Sequence, residues 1–387
     1  MSSRRTALFT LAALATAALA ACAMDAANSG AGETMVMGNA ITGEGIPNPA
    51  PTVTANWGQI PAGRTMGTTA GADIDPIDGN VWTYERCGSG SAGGPGVNCE
   101  SNPVPPIFKL DRNTGAVLAN FGENVMITPH GIGVDAEGNV WVTDFNVNEA
   151  GTKGYQVHKF SQDGELLMSL GTPGQGGTDG AHFNQPNDVI VAPDGSIFVS
   201  DGHSGQGMTS NQAMEEGRAN GQTGRVMKFT PEGEFVMQWG QIGTLHGEFR
   251  TPHALAFDSQ GRLWVADRGN HRIEIFDQNG NYLDSRYQFG RISGIFITDE
   301  DMVYTIDSES SATSHPNWVN GVRIAPVDQD WIVGFIPAFP ADTRPYQGAA
   351  GEGIAVDEDG NVYAAEGPNS MRWAGGPWTK YSVAGGM

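Results

Sequence analysis

The sequence has 387 residues, 55 of them glycine, and its 43 acidic side chains against 21 lysines and arginines give a net charge of −22. The glycines keep no period of three, which excludes collagen, and interior glycines cost a helix about 1 kcal/mol each, which disfavours long helices. So large an acidic excess leaves few cations to displace counterions, so neither nucleic acid nor an anionic membrane surface is an expected partner.

Residues 1–22 read as an address. Met1 to Arg5 carry two arginines, and Ala7 to Ala21 are apolar and small. That stretch is shorter than the ~20 apolar residues of a spanning helix and suits a signal segment. Leu19-Ala20-Ala21-Cys22 has the form of a bacterial lipobox, with Cys22 acylated after cleavage. Ordinary cleavage at a nearby Ala-x-Ala site is the alternative. The expectation is an exported bacterial protein, periplasmic, with a membrane involved only through a lipid anchor. Residues 23–50, rich in Ala, Gly, Asn and Pro, read as a flexible tether, and 51–387 as the folded domain. Cys87 and Cys99 lie in a Gly-rich loop; an oxidising compartment allows them to pair, the alternative being two free thiols.

A repeat organises the rest of the chain. An apolar strand ends at an acid, a Gly turn follows, and a second strand ends at another acid. Clean copies are Gly131-Ile132-Gly133-Val134-Asp135 before Gly138-Asn139-Val140-Trp141-Val142-Thr143-Asp144, and Leu255-Ala256-Phe257-Asp258 before Gly261-Arg262-Leu263-Trp264-Val265-Ala266-Asp267. Others begin at Ala72, Val189 and Gly353, and a degenerate one begins at Gly294. Apolar residues alternate at period two around the turn, which means antiparallel strands. Third and fourth strands follow, as in Arg225-Val226-Met227-Lys228-Phe229 and Gln238-Trp239-Gly240. The fold class is therefore all-β, a six-bladed β-propeller of four-stranded antiparallel blades. The last blade lacks a fourth strand, and the orphan segment at 53–58 supplies one, closing the ring and removing both open edges. The run Asp267-Arg268-Gly269-Asn270-His271-Arg272-Ile273 resembles the NHL repeat class, and the resemblance covers residues 52–383. A closed ring gives no reason to expect an oligomer.

Propeller geometry locates a site. The residue leading into each first strand and those following each second strand gather on one face. The leading residues are Ala70, His130, Asn187, His253, Ser293 and Glu352, so alternate blades present His, His and Glu to the axis. Two imidazoles and a carboxylate with open positions suit Zn²⁺ or another divalent transition metal, which would acidify a bound water. The alternative is a pair of hydrogen-bonded structural histidines. Loops 86–106, 145–154, 202–224 and 308–320 roof the same face. In them Arg86 is placed to pair a substrate carboxylate, and His203 to act as general base or as a further ligand; the alternative for each is a solvent-facing loop residue. Asp144, Asp201, Asp267 and Asp307 read as structural caps on backbone amides between blades.

Pro129-His130-Gly131-Ile132, Pro252-His253-Ala254-Leu255, Val199-Ser200-Asp201-Gly202 and Tyr84-Glu85-Arg86 resemble the peptidyl-α-hydroxyglycine α-amidating lyases. The resemblance implies a zinc propeller that splits α-hydroxyglycine amides into an amide and glyoxylate, with His130 and His253 on two zinc ligands and Arg86 on the family's arginine. Glu352 stands where the family has a third histidine, His203 where it has a tyrosine, and Gly353 where an Asp helps hold calcium. The expected activity is a metal-dependent lyase on a small-molecule or peptide-derived substrate of carbinolamide or carbonyl type, with Ca²⁺ short of one ligand. A lactonase-like hydrolase and a non-catalytic NHL scaffold are the alternatives.

Overall fold

In the computed structural model, residues 38–88, 98–340 and 350–383 are described. Twenty-four strands form six four-stranded antiparallel sheets, arranged as the repeat predicts. The sixth sheet runs in the order Thr52–Thr54, Trp378–Ser382, Val362–Ala365, Gly353–Val356, with Val53 opposite Tyr381. The N-terminal strand therefore closes the ring. The signal segment and Cys22 lie outside the described residues; within them no helix is long and apolar enough to cross a membrane.

In four of the blades the repeat folds around its first acid, Asp75, Asp135, Asp258 or Asp357. In blade two, Asp135 Oδ1 accepts the Asn139 amide at 2.8 Å, while Oδ2 accepts Trp141 Nε1 at 3.1 Å. Asp258 holds the Arg262 amide and Trp264 Nε1 in the same way, and Asp75 holds Trp82 Nε1. One carboxylate thus closes the hairpin and orients the large buried residue of the second strand. The turn glycine is required because φ is +82° at Gly138 and +71° at Gly261.

The second acid caps amides of the segment that connects one blade to the next. Asp144 accepts the Ile127 and Thr128 amides, and Asp267 the Arg250 and Thr251 amides. These amides belong to the segment leading into the first strand of the same sheet. The caps therefore fix the residues just ahead of His130 and His253.

Residues 39–47 are docked, which corrects the tether boundary at residue 50. Arg323 donates from Nε to the Ala40 carbonyl at 2.9 Å and from Nη2 to that of Ile41 at 3.1 Å. Ile46 packs into the cluster that holds Phe335. A buried guanidinium in blade five needs carbonyl partners, and this segment supplies them.

Cys87 and Cys99 are joined in a disulfide. The Cys99 amide bonds the Ile127 carbonyl at 3.0 Å, tying the loop to the segment that leads to His130. Closing a loop of 12 residues is worth about 3 kcal/mol on chain-entropy grounds. Replacing both cysteines by serine should lower urea-unfolding stability by about that much; a loss below ~1 kcal/mol would contradict it.

Candidate metal and substrate site

His130 and His253 lie in the first strands of blades two and four, Pro129–Val134 and Pro252–Phe257. Strand pairing slips at both: Pro252 faces Asp267, yet Ala254 already faces Ala266, leaving His253 unpaired. Blade two slips between Pro129 and Ile132. Such a bulge re-aims its extra residue, and here it turns both imidazoles to the axis. Glycine beside His130 allows the strands to close in, since a Cβ on Gly131 would lie 2.4 Å from the Asn187 carbonyl oxygen.

Both histidines are oriented alike. His130 Nδ1 meets the Asn187 carbonyl oxygen at 2.9 Å, and His253 Nδ1 meets that of Ser293 at 2.5 Å. The Nδ1 proton is thus fixed by the next blade and the Nε2 lone pair faces inward, the arrangement that metal-binding histidines adopt. His253 Nε2 is buried and has no hydrogen-bond partner among the described residues.

His203 completes the group. It follows the second strand of blade three, Ile197–Asp201, and Gly202, at φ +123°, turns the chain inward. One nitrogen from each of His130, His203 and His253 lies within 4.8 Å of the others. Burial first, then the Arg268 guanidinium, and for His130 and His203 that of Arg86 as well, holds all three imidazoles well below the usual histidine range. They are neutral at pH 7, the state that binds a metal.

Glu352 stands beside the three imidazoles. Its Oε1 is 3.1 Å from Arg268 Nη1 and 3.8 Å from His253 Nε2. Its Oε2 has no hydrogen-bond partner and is 3.9 Å from Arg86 Nη1. Burial pushes this carboxyl up, and Arg86 and Arg268 partly offset the shift. Arg86 is buried, donates from Nε to the Pro129 carbonyl at 3.1 Å, and keeps Nη2 unpartnered.

Two site residues went unread in the sequence. Arg268, fully buried, reaches His203 Nε2 at 2.8 Å and Gln206 Oε1 at 2.5 Å through Nη2. Phe145 stacks on the His130 ring with centroids 5.0 Å apart and meets His203 edge-on at 4.9 Å. Each directly follows the acid that ends a second strand, as Arg86 does. Extending that positional rule to all six blades finds both. Below the imidazoles an axial cavity of about 280 Å³ runs between the first strands.

A profile of the NHL repeat matches residues 249–276, which include His253 and Arg268. Peptidyl-glycine alpha-amidating monooxygenase B of Xenopus laevis is 33% identical over 283 residues, covering 70% of this chain and 29% of that protein. Peptidyl-alpha-hydroxyglycine alpha-amidating lyase 1 of Drosophila melanogaster is 28% identical over 293 residues, covering 69% and 47%. The chain is a six-bladed propeller with an NHL-repeat match, similar to the amidating lyases and to NHL repeat proteins. It spans less than half the length of either of these two relatives. A gluconolactonase from Xanthomonas campestris shares the fold, with a TM-score of 0.51 at 14% identity, covering 88% of this chain and 94% of that one.

Proposed function

We propose that this NHL-repeat propeller is a metal-dependent lyase that cleaves an α-hydroxyglycine-type amide. The observation that carries the reading is the paired orientation of His130 and His253, with His203 beside them and the unpartnered Arg86 Nη2 facing the same space. Orphaned His253 Nε2 and three neutral imidazoles fit a zinc-type ion, held by His130, His253 and His203. Such an ion supplies Lewis acidity at the substrate's oxygen.

Glu352 and His203 then exchange the roles expected from sequence. A histidine held far below its usual range is a weak base and a good neutral ligand. A carboxyl pushed up by burial, with one free oxygen, is the better proton acceptor near neutral pH. Arg86 pairs the substrate carboxylate. Glu352 takes the carbinol proton, the O–H electron pair becomes the new C=O of glyoxylate, and the C–N bond breaks. Its electrons stay on nitrogen, which takes the same proton back from Glu352 as the amide leaves, so the carboxylate is regenerated. Arg268 balances the charge on Glu352 throughout.

Export and lipidation at Cys22 belong to this reading and rest on residues 1–22 alone. The activity test is direct. The zinc-loaded chain given N-acetyl-seryl-α-hydroxyglycine should release glyoxylate and N-acetyl-serinamide in equal amounts. Absence of glyoxylate from this and other α-hydroxyglycine amides would overturn the lyase.

Proton release gives a second check. At pH 6.5 three unperturbed histidines would together lose about 1.5 protons on binding an ion, half a proton each. Here the depressed imidazoles should lose almost none. Calorimetry in buffers of different ionisation enthalpy measures this, in Glu352→Gln so that only imidazoles titrate. Release near 1.5 protons would contradict the assignment.

A further inference from the structure

Beside the axial site a cleft of about 490 Å³ opens between the long loops of blades three, five and six. Among the described residues no aliphatic or aromatic side chain lines it. Arg291 and Asn320 form its buried wall, 4% and 5% exposed. Arg291 donates from Nη1 to the Arg268 carbonyl at 3.1 Å and from Nη2 to Glu309 Oε2 at 3.3 Å, yet its Nε has no partner. Asn320 Oδ1 is likewise unpartnered. A buried donor and a buried acceptor are thus left open on one polar wall, an arrangement that costs stability until a ligand or water fills it.

The cleft is tied to the axial group. Gln206 lines it and accepts from Arg268 Nη2, the nitrogen that also reaches His203. Glu309 lines it and lies 3.6 Å from Arg268 Nη1, which reaches Glu352. At the outer rim Arg372 is exposed and forms no ion pair among the described residues.

We propose that this cleft is the subsite for the substrate residue on the amide side of the reacting carbon. It selects a hydroxyl-, amide- or carboxylate-bearing group over an aromatic one. The inference rests on the lyase reading for the placement of the reacting carbon. A polar group can answer both Arg291 Nε and Asn320 Oδ1, and an acidic one can extend to Arg372. A phenyl ring offers neither buried group a partner, and sites built to hydrogen-bond reject such analogues strongly.

The test uses probes that lack the reacting hydroxyl: N-acetyl-seryl-glycine, N-acetyl-aspartyl-glycine and N-acetyl-phenylalanyl-glycine. Calorimetry on the full, zinc-loaded chain should show the first two binding at least ~10-fold more tightly than the third, the scale of one or two good hydrogen bonds. Asn320→Leu should erase the seryl preference. Arg372→Ala, an exposed change that leaves folding intact, should weaken the aspartyl probe alone. Equal binding of the three probes, tighter phenylalanyl binding, or no binding would overturn the subsite. Glyoxylate release from hydroxylated substrates without polar preference sinks the subsite and keeps the lyase. Polar preference without any turnover does the reverse.

Discussion

Glu352→Gln should keep its metal and lose turnover by about 10²–10⁴-fold, the usual worth of a positioned general base. The amide is isosteric and can still face Arg268, so the site should hold its shape. It has no basic oxygen for the carbinol proton, and kcat should fall far more than KM rises. Single-turnover glyoxylate release and elemental analysis on the same preparation separate the two roles. A variant that loses its metal would restore Glu352 to the ligand set read from the sequence, and a variant with near wild-type kcat would remove it from the chemistry. The companion change, His203→Ala, should lose metal under the same conditions.

Arg268→Met should cost about 3–5 kcal/mol, as removing one partner from a buried charged pair does. Arg268 is fully buried and stands between Glu352 at 3.1 Å and Glu309 at 3.6 Å. Without it the guanidinium left beside Glu352 among the described residues is that of Arg86, at 3.9 Å, and beside Glu309 that of Arg291, at 3.3 Å. The loss of one cation also opens the contact to His203 Nε2. Urea unfolding measures the effect, and a change under ~1 kcal/mol would show that the buried network is not held by this residue. Glu309→Gln in the same background should recover part of the loss, because it removes one of the stranded negative charges.

The propeller was legible because its signals are local and repeated. Each copy alternates apolar residues at period two and carries its own turn glycine, and each hairpin acid bonds amides only a few residues away. The ring closure was legible for the same reason, as one strand too many at the start and one too few at the end. His130, His253 and Glu352 could be placed because all three lead into a first strand, and the fold fixes where that position points. Arg268 and Phe145 obeyed an equally simple rule, which had been applied only to Arg86 and His203.

Long-range partners stayed hidden. Residues 39–47 have a linker's composition, and what docks them is Arg323, 283 positions from Ala40. The approach of His203 to the axial histidines depends on the positive φ of Gly202, while its contact with Arg268 comes from another blade. Neither is written in the local pattern, so the sequence could give His203 two roles and could not choose between them. The open groups on Arg291 and Asn320 are also invisible to sequence, since a missing partner is a property of packing alone.

If the axial imidazoles form a metal centre, metal content per chain reports it. Chains purified without added metal, then reconstituted with zinc and desalted, should carry about one ion each by elemental analysis, as a site of three protein ligands would. His253→Ala should carry none, since it removes the axial imidazole whose Nε2 is buried and unpartnered among the described residues. A wild type that binds no stoichiometric ion after reconstitution, or a His253→Ala variant that binds as much as the wild type, would contradict the account.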